Sequence, residues 1–217
     1  MTGSAAEIKS IDYKDYFISH KNQKVVAKGF GEKTTSLNAF FLDYLKGYNI
    51  PSAYEKRIDK NHLHFFNYAE FAFRVKILNN ADHRTSRIFS TKNLKQLELP
   101  VIEFHYGDSK DTLVSESHLI SFNLSSYDDL KFITRLCSKI NAIVKSFFER
   151  RNISLVELTC IFGKFEGKIF LVGDFSPTSL KIVDNIKSET LPDPYRIETF
   201  AQMKKYTDVL IKLTSGE

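Results

Sequence analysis

Residues 154–184, SLVELTCIFGKFEGKIFLVGDFSPTSLKIVD, limit the possible folds more than any other stretch of the chain. Two runs rich in Val, Ile, Leu and Phe flank the polar tetrapeptide Lys164-Phe165-Glu166-Gly167. That spacing predicts a strand, a tight turn and a return strand. Successive strand side chains point to opposite faces. Val156, Leu158, Cys160 and Phe162 therefore share an apolar face that belongs on a core. Glu157, Thr159 and Ile161 share the other face, which begins polar and ends apolar and has the character of a functional surface.

The rest of the chain supplies elements to pack on this hairpin. Residues 7–33 suggest a short strand over 24–28 and a turn at Gly29, Phe30 and Gly31. GFGE there lacks the strand–turn–helix context of a phosphate loop. A helix capped by Thr35 or Ser36 is predicted from Leu37, Phe40, Phe41, Tyr44, Leu45 and Tyr48, and Pro51 stops it. Its aromatic stripe reads as core. In NHLHFFNYAEFAFRVKI, Ala69, Phe71, Phe73, Val75 and Ile77 alternate with Glu70, Ala72, Arg74 and Lys76, so Arg74 stands mid-strand on a polar face. A planar guanidinium there is either a solvated sheet residue or a grip for phosphate. Residues 79–97 read as a basic loop with a helical turn near Leu94, and Pro100 opens the strand VIEFHY. A long helix starts near Ser125 or Ser126, with Asp128 and Asp129 at its positive end and a stripe of Leu130, Ile133, Leu136, Cys137, Ile140, Val144, Phe147 and Phe148. A polar loop over 187–194 leads to a last amphipathic helix carrying Phe200, Met203, Leu210 and Leu213. Helix, strands, long helix, hairpin and helix in that order predict an α+β fold with antiparallel sheets and packed helices. Two lobes are expected: a reduced N-terminal one over 1–77, with 1–6 a loose arm, and an α+β lobe over 78–217 that carries the hairpin.

Composition narrows the function classes. The longest apolar runs fall far short of a membrane span, and the first ten residues lack the charged start and apolar centre of a signal peptide. Cys137 and Cys160 have no metal spacing and sit in apolar patterns, as buried thiols of a reducing cytoplasm do. The net charge of +5 comes from lysines scattered among acids rather than from a basic stripe, which argues against nucleic acid as partner.

The hairpin also carries a family resemblance. VELTCIFG from Val156 and LVGDFSPT from Leu171 resemble the VDFKLEFG and LADEISPD segments of SAICAR synthetase. That purine-pathway ligase joins aspartate to a carboxyaminoimidazole ribotide using ATP. NAFFLDYLKGYNIPS resembles the family helix that ends in GIPT, EFAFRV the segment before its VVRN motif, and LPVIEFHYGDSKDTLVSESH its PPPIVEFYYKDDELGDPMINEDH. The matches run in order from about Thr34 to Asp184. The resemblance implies ATP, Mg2+ held by hard oxygen ligands, an anionic ribotide and a homo-oligomer.

Carried over position by position, Arg74 matches the arginine that holds the ribotide. Glu157 stands for the aspartate of VDFK, and Asp174 for the second acid of the DE pair, a catalytic and metal-binding position. Ser176 and Pro177 match the SP that follows. Asp111 and Glu116 match the acids of the DPMINE stretch, and Lys181 replaces an arginine, keeping its charge but not its fork. Asn79 and Asn80 take the place of the GS after VVRN, with Asn80 a candidate substrate ligand. Other family groups are replaced: Thr159 stands for a lysine, Ile161 for a glutamate, Gly173 for the first acid of DE, and Thr178 for the aspartate after SP. The N-terminal glycine–lysine segment that opens the family and covers ATP is not recognisable. The resulting expectation is a divergent family member with an eroded Mg-ATP site, a ribotide- or anion-binding pseudoenzyme. The alternative is an active ligase with a rearranged nucleotide site.

Overall fold

The computed structural model describes residues 8–107, 112–185 and 191–215. The chain opens with β1 (Ile8–Asp12), β2 (Tyr16–Ile18) and β3 (Lys24–Val26), then α1 (Phe30–Lys46), β4 (Tyr54–Arg57) and β5 (His62–Phe66). β2 and β3 form a ribbon, and β1, β5 and β4 form a three-stranded antiparallel sheet in that order. α1 begins at Phe30, a turn and more ahead of Thr35. Gly29 takes the N-cap position at φ 78 with no side-chain cap, so the residues expected to form a turn start the helix. Thr35 and Ser36 instead donate their hydroxyls to the carbonyls of Gly31 and Glu32 one turn back. Gly31 is required where it stands, because a Cβ there would collide with the Tyr13 carbonyl.

The main sheet is built from β6 (Ala69–Asn80), β7 (Gln96–Tyr106), β8 (Leu113–Val114), β9 (Ile153–Phe165), β10 (Lys168–Gly173) and β11 (Lys181–Asp184). Its order is β10-β9-β6-β7-β8, with β11 on the same edge of β9 as β10 but further along. The turn between β9 and β10 is formed by Glu166 and Gly167, both left-handed at φ 47 and 76. Such a two-residue turn matches the twist of the flanking strands. β6 runs without interruption through position 77 and lies wholly in this sheet. β7 starts at Gln96 rather than at Pro100, and the basic stretch before it holds α2 (His83–Ile88), capped by Asp82. A further short helix, α3 (Glu116–Ser121), is capped by Ser115 and was not apparent in the periodicity.

The long helix is α4 (Tyr127–Glu149), with Ser126 accepting from the Asp129 amide as its cap. Its stripe of Ile133, Cys137, Ile140, Val144 and Phe148 is buried together with Leu158, Cys160 and Phe162 of β9. The apolar face of the hairpin strand is thus the core face. Asn79 and Asn141 exchange two amide hydrogen bonds of 2.9 and 2.8 Å on this side, satisfying both buried side chains. α5 (Phe200–Ser215) packs beside α1. Its Tyr206 hydroxyl donates to the Leu180 carbonyl and accepts from the Ile182 amide, which fastens the chain where it rejoins β9. Among the described residues no helix is long and apolar enough to cross a membrane.

Candidate active site

The face of the main sheet turned away from α4 follows from register. Residues paired across an antiparallel ladder lie on one face. Arg74 stands between His105 and Ile161, Lys76 between Glu103 and Thr159, and Leu78 between Val101 and Glu157. β11 then places Lys181 opposite Glu157. Alternation alone foretold Glu157, Thr159, Ile161, Arg74 and Lys76 on such faces, and the strand pairing brings them into one array. Glu103 and His105 were missed, although they alternate with buried Phe104 in VIEFHY. The non-local pairing that gives them meaning leaves no trace in the sequence.

One part of this face is a closed charge network. Arg84 of α2 pairs with Glu103 Oε1, and His105 Nε2 lies 3.1 Å from Glu103 Oε2. Burial alone would raise the Glu103 carboxyl. The His105 hydrogen bond and the charges of Arg84 and Lys76 outweigh it and hold the group below the usual range. Asp82 is also held low: burial opposes ionisation, but the Thr85 amide and hydroxyl bonds prevail. Nearby, Lys181 Nζ donates to Glu157 Oε1 at 2.8 Å, and Glu157 is 2% exposed. Lys181 also lies over the Tyr195 ring, 4.1 Å from its centroid, and the His83 ring meets the same tyrosine edge-on. Tyr195, absent from the expected site residues, thus covers this end of the face. Its hydroxyl is pushed well up by burial and then by the Glu157 charge. Glu157 Oε2 is buried as well.

The other part forms where the chain leaves β10 and crosses to β11. Residues 174–180 cross this gap opposite Thr159, whose carbonyl accepts from the Asp174 amide at 3.3 Å. Ser176 donates both its amide (2.9 Å, to Oδ1) and its hydroxyl (2.7 Å, to Oδ2) to the Asp174 carboxylate. α1 supports the segment: Asn38 Oδ1 accepts from the Phe175 amide, and the Phe175 ring stacks on Phe41. Burial raises the Asp174 carboxyl, and the Ser176 bonds, Asn38 and the charge of Arg74 only partly offset it. Arg74 itself donates to the Gly107 carbonyl at 2.8 Å.

Asp174 opens onto a cleft of about 340 Å³ between the small sheet and the main one. Its lining includes Asp12, Tyr13, Lys14, Tyr16, Phe30, Thr34, Glu70, Ile161, Val172, Gly173 and Ser176. Of the expected site residues, Asp174, Ser176 and the charge of Arg74 come together here, while Glu157 and Lys181 form a separate pair. Asn80 is spent on the Leu94 carbonyl at 2.8 Å and pins the loop before β7. Glu116 opens α3 at the surface, and Asp111 lies outside the described residues.

This cleft fits Mg-ATP poorly. Mg2+ is held through one or two carboxylates and the phosphates themselves, and the phosphates need cations. Asp174 is the one carboxylate at the depth of the cleft, and Ile161, Val172 and Gly173 beside it offer no side-chain oxygen to complete a metal site. The single ammonium among the described lining residues, Lys14, is paired with Asp12. No three His, Cys, Asp or Glu side chains among the described residues gather at metal-binding distance.

The profile of the SAICAR synthetase family matches residues 11–200. The chain belongs to the SAICAR synthetase family. A phosphoribosylaminoimidazole-succinocarboxamide synthase of Clostridium novyi is 25% identical over 213 residues, covering 95% of this chain and 90% of that one. The crystal structure of the Ehrlichia chaffeensis synthase superposes with a TM-score of 0.86 at 24% identity, over 98% of this chain and 93% of the other. A type-2 SAICAR synthetase in complex with ADP gives a TM-score of 0.85 at 20% identity, with coverage of 97% and 91%. The α+β architecture is therefore the SAICAR synthetase fold, and the notch at Asp174 lies within the matched residues.

Proposed function

We propose that this member of the SAICAR synthetase family has an eroded Mg-ATP site and acts as a binding protein for a small anion at the charged face of the main sheet. The observation that carries this reading is the cleft at Asp174. Its described lining sets three carboxylates, Asp12, Glu70 and Asp174, against one ammonium already paired. A triphosphate would find no unpaired ammonium in that described lining, with Ile161 and Gly173 at positions where the resemblance implies acids. The sheet face beside it differs: Arg74, Lys76, Arg84 and Lys181 stand there with Glu103 and Glu157, more cations than carboxylates among these residues, a balance that supports an anion such as a ribose phosphate. A homo-oligomer is part of the same proposal.

The second reading is a working ligase, favoured by the family match along 190 residues, from 11 to 200. In it Glu157 and Asp174 are the catalytic acids, Asp174 holds the metal, and Arg74, Asn80, Asp111, Glu116, Ser176 and Lys181 hold substrate. A thermal melt with and without excess Mg-ATP separates the two. Ligand at about 100 times Kd adds roughly 2.7 kcal/mol, a shift of roughly 5–11 °C for a domain of this size. The expected result is no shift at millimolar Mg-ATP and no turnover of ATP, aspartate and ribotide. A shift of that size with turnover would establish the ligase.

A further inference from the structure

We infer that the cleft at Asp174 is a binding site for an organic amine carried on a flat apolar or aromatic body. The inference rests on the reading of this cleft as no longer a nucleotide site, and it adds what the cleft takes instead. Three features of the cleft point the same way. Its walls are apolar and aromatic: Tyr13, Phe30, Ile161 and Val172 face a volume of about 340 Å³, enough for one or two rings. Its charge is negative: Asp174 stands at the depth, and Asp12 and Glu70 at the exposed rim are paired with Lys14 and, at 3.8 Å, with Lys9. Because those rim acids already have cations, the carboxylate left to attract a ligand charge is Asp174, whose bonds within the protein come from neutral donors on Ser176.

The third feature is Thr34. It is 4% exposed, it lines the cleft, and its buried Oγ1 has no hydrogen-bond partner among the described residues. A buried hydroxyl without a partner costs free energy that a ligand can recover. An ammonium has several N–H donors, so it satisfies a carboxylate and a hydroxyl acceptor at once, while aromatic walls favour both its ring and its charge. Tyr13 is held neutral here, since burial and then the Asp174 charge raise its phenol, so it adds no competing anion.

The test is titration calorimetry on the full chain with matched pairs: tyramine against 4-ethylphenol, and benzylamine against toluene, with ADP as an anionic control. The amines are expected to bind at least about 10-fold more tightly than their neutral partners, the range of one charged hydrogen bond. Asp174→Asn should abolish that preference, and Thr34→Val should weaken the amines alone. Circular dichroism on both variants confirms folding, and the wild-type comparison stands even if a variant fails. Equal binding of amine and neutral partner, or no binding of any amine at millimolar concentration, overturns the inference. Tight binding of Mg-ADP in place of the amines would instead overturn the reading of an eroded nucleotide site, so the two failures are distinguishable.

Discussion

Glu157 and Asp174 flank Thr159 on the face of the main sheet turned away from α4, and the protein treats these two carboxylates in opposite ways. Glu157 is sealed in with a cation: Lys181 donates to it at 2.8 Å, and the Tyr195 ring covers the lysine. Asp174 is surrounded by neutral donors from Ser176, and the charge of Arg74 offsets only part of its burial. Within a low-dielectric site a charge with a contact partner is committed to structure, and one without is available to a ligand. The Glu157 end is therefore a clamp that holds β11 to β9, and the Asp174 end is where a ligand can still gain electrostatic energy.

The comparison breaks most severely at Lys181. Lys181→Met leaves Glu157 charged, 2% exposed and unpaired. Removing one partner of a buried pair costs about 3–5 kcal/mol, which for this size lowers the melting temperature by roughly 6–20 °C. The double variant Glu157→Gln/Lys181→Met should regain most of that loss. A single-variant shift of only a degree or two would mean that Lys181 is a solvated lysine and that the clamp does not exist.

The pH dependence sharpens the contrast, because the shifted carboxyls have opposite signs. Glu103 is held below its unfolded value, so it binds fewer protons folded than unfolded. Its stabilisation is present above about pH 4.3 and is lost as pH falls through the folded value. Glu103→Gln should cost about 1.5–3 kcal/mol near neutral pH, the range for a charged hydrogen bond, and little in acid. Asp174 is raised, so the folded state keeps its proton longer. Its contribution is present below about pH 3.9 and is lost as pH rises through the folded value. Asp174→Asn should therefore be more stable than the parent at pH 7 and equal to it in acid. Urea melts of both variants at several pH values check the pair, and two curves of the same sign would refute the assigned environments.

These residues also show how much the sequence could say. Local pattern placed Glu157, Thr159 and Ile161 on one face and Leu158, Cys160 and Phe162 on the core, because a period of two is fixed by covalent geometry. The stripe on α4 was legible for the same reason at a period of 3.6. The start of α1 was not legible: Gly29 and Gly31 look like a turn, and only the approach of the Tyr13 backbone explains Gly31 inside a helix. α2 and α3 are six residues each, too short for a periodicity to emerge. Glu103, His105 and Tyr195 belong to this sheet face through strand pairing and a distant loop, and nothing local marks that. Asn80 matched a family position by order alone, and its amide went to a carbonyl 14 residues away.

The smallest effects lie in the turn that joins β9 to β10, far from both carboxylates, and they test whether the hairpin itself fixes the site. Gly167 stands at φ 76 and Glu166 at φ 47. A left-handed conformation costs an L-residue roughly 1–2 kcal/mol, and glycine escapes that cost. Gly167→Ala should therefore destabilise by about 1 kcal/mol. Glu166→Asn should stabilise by a few tenths of that, since Asn-Gly is the favoured pair for such a turn. Both variants should leave the pH contrast between Glu103 and Asp174 unchanged, because the register of β9 is held on its other edge by β6 from Ala69 to Leu78. If Gly167→Ala also shifted the pH curve of Asp174, then the hairpin turn, and not the pairing with β6, would set the geometry of the cleft.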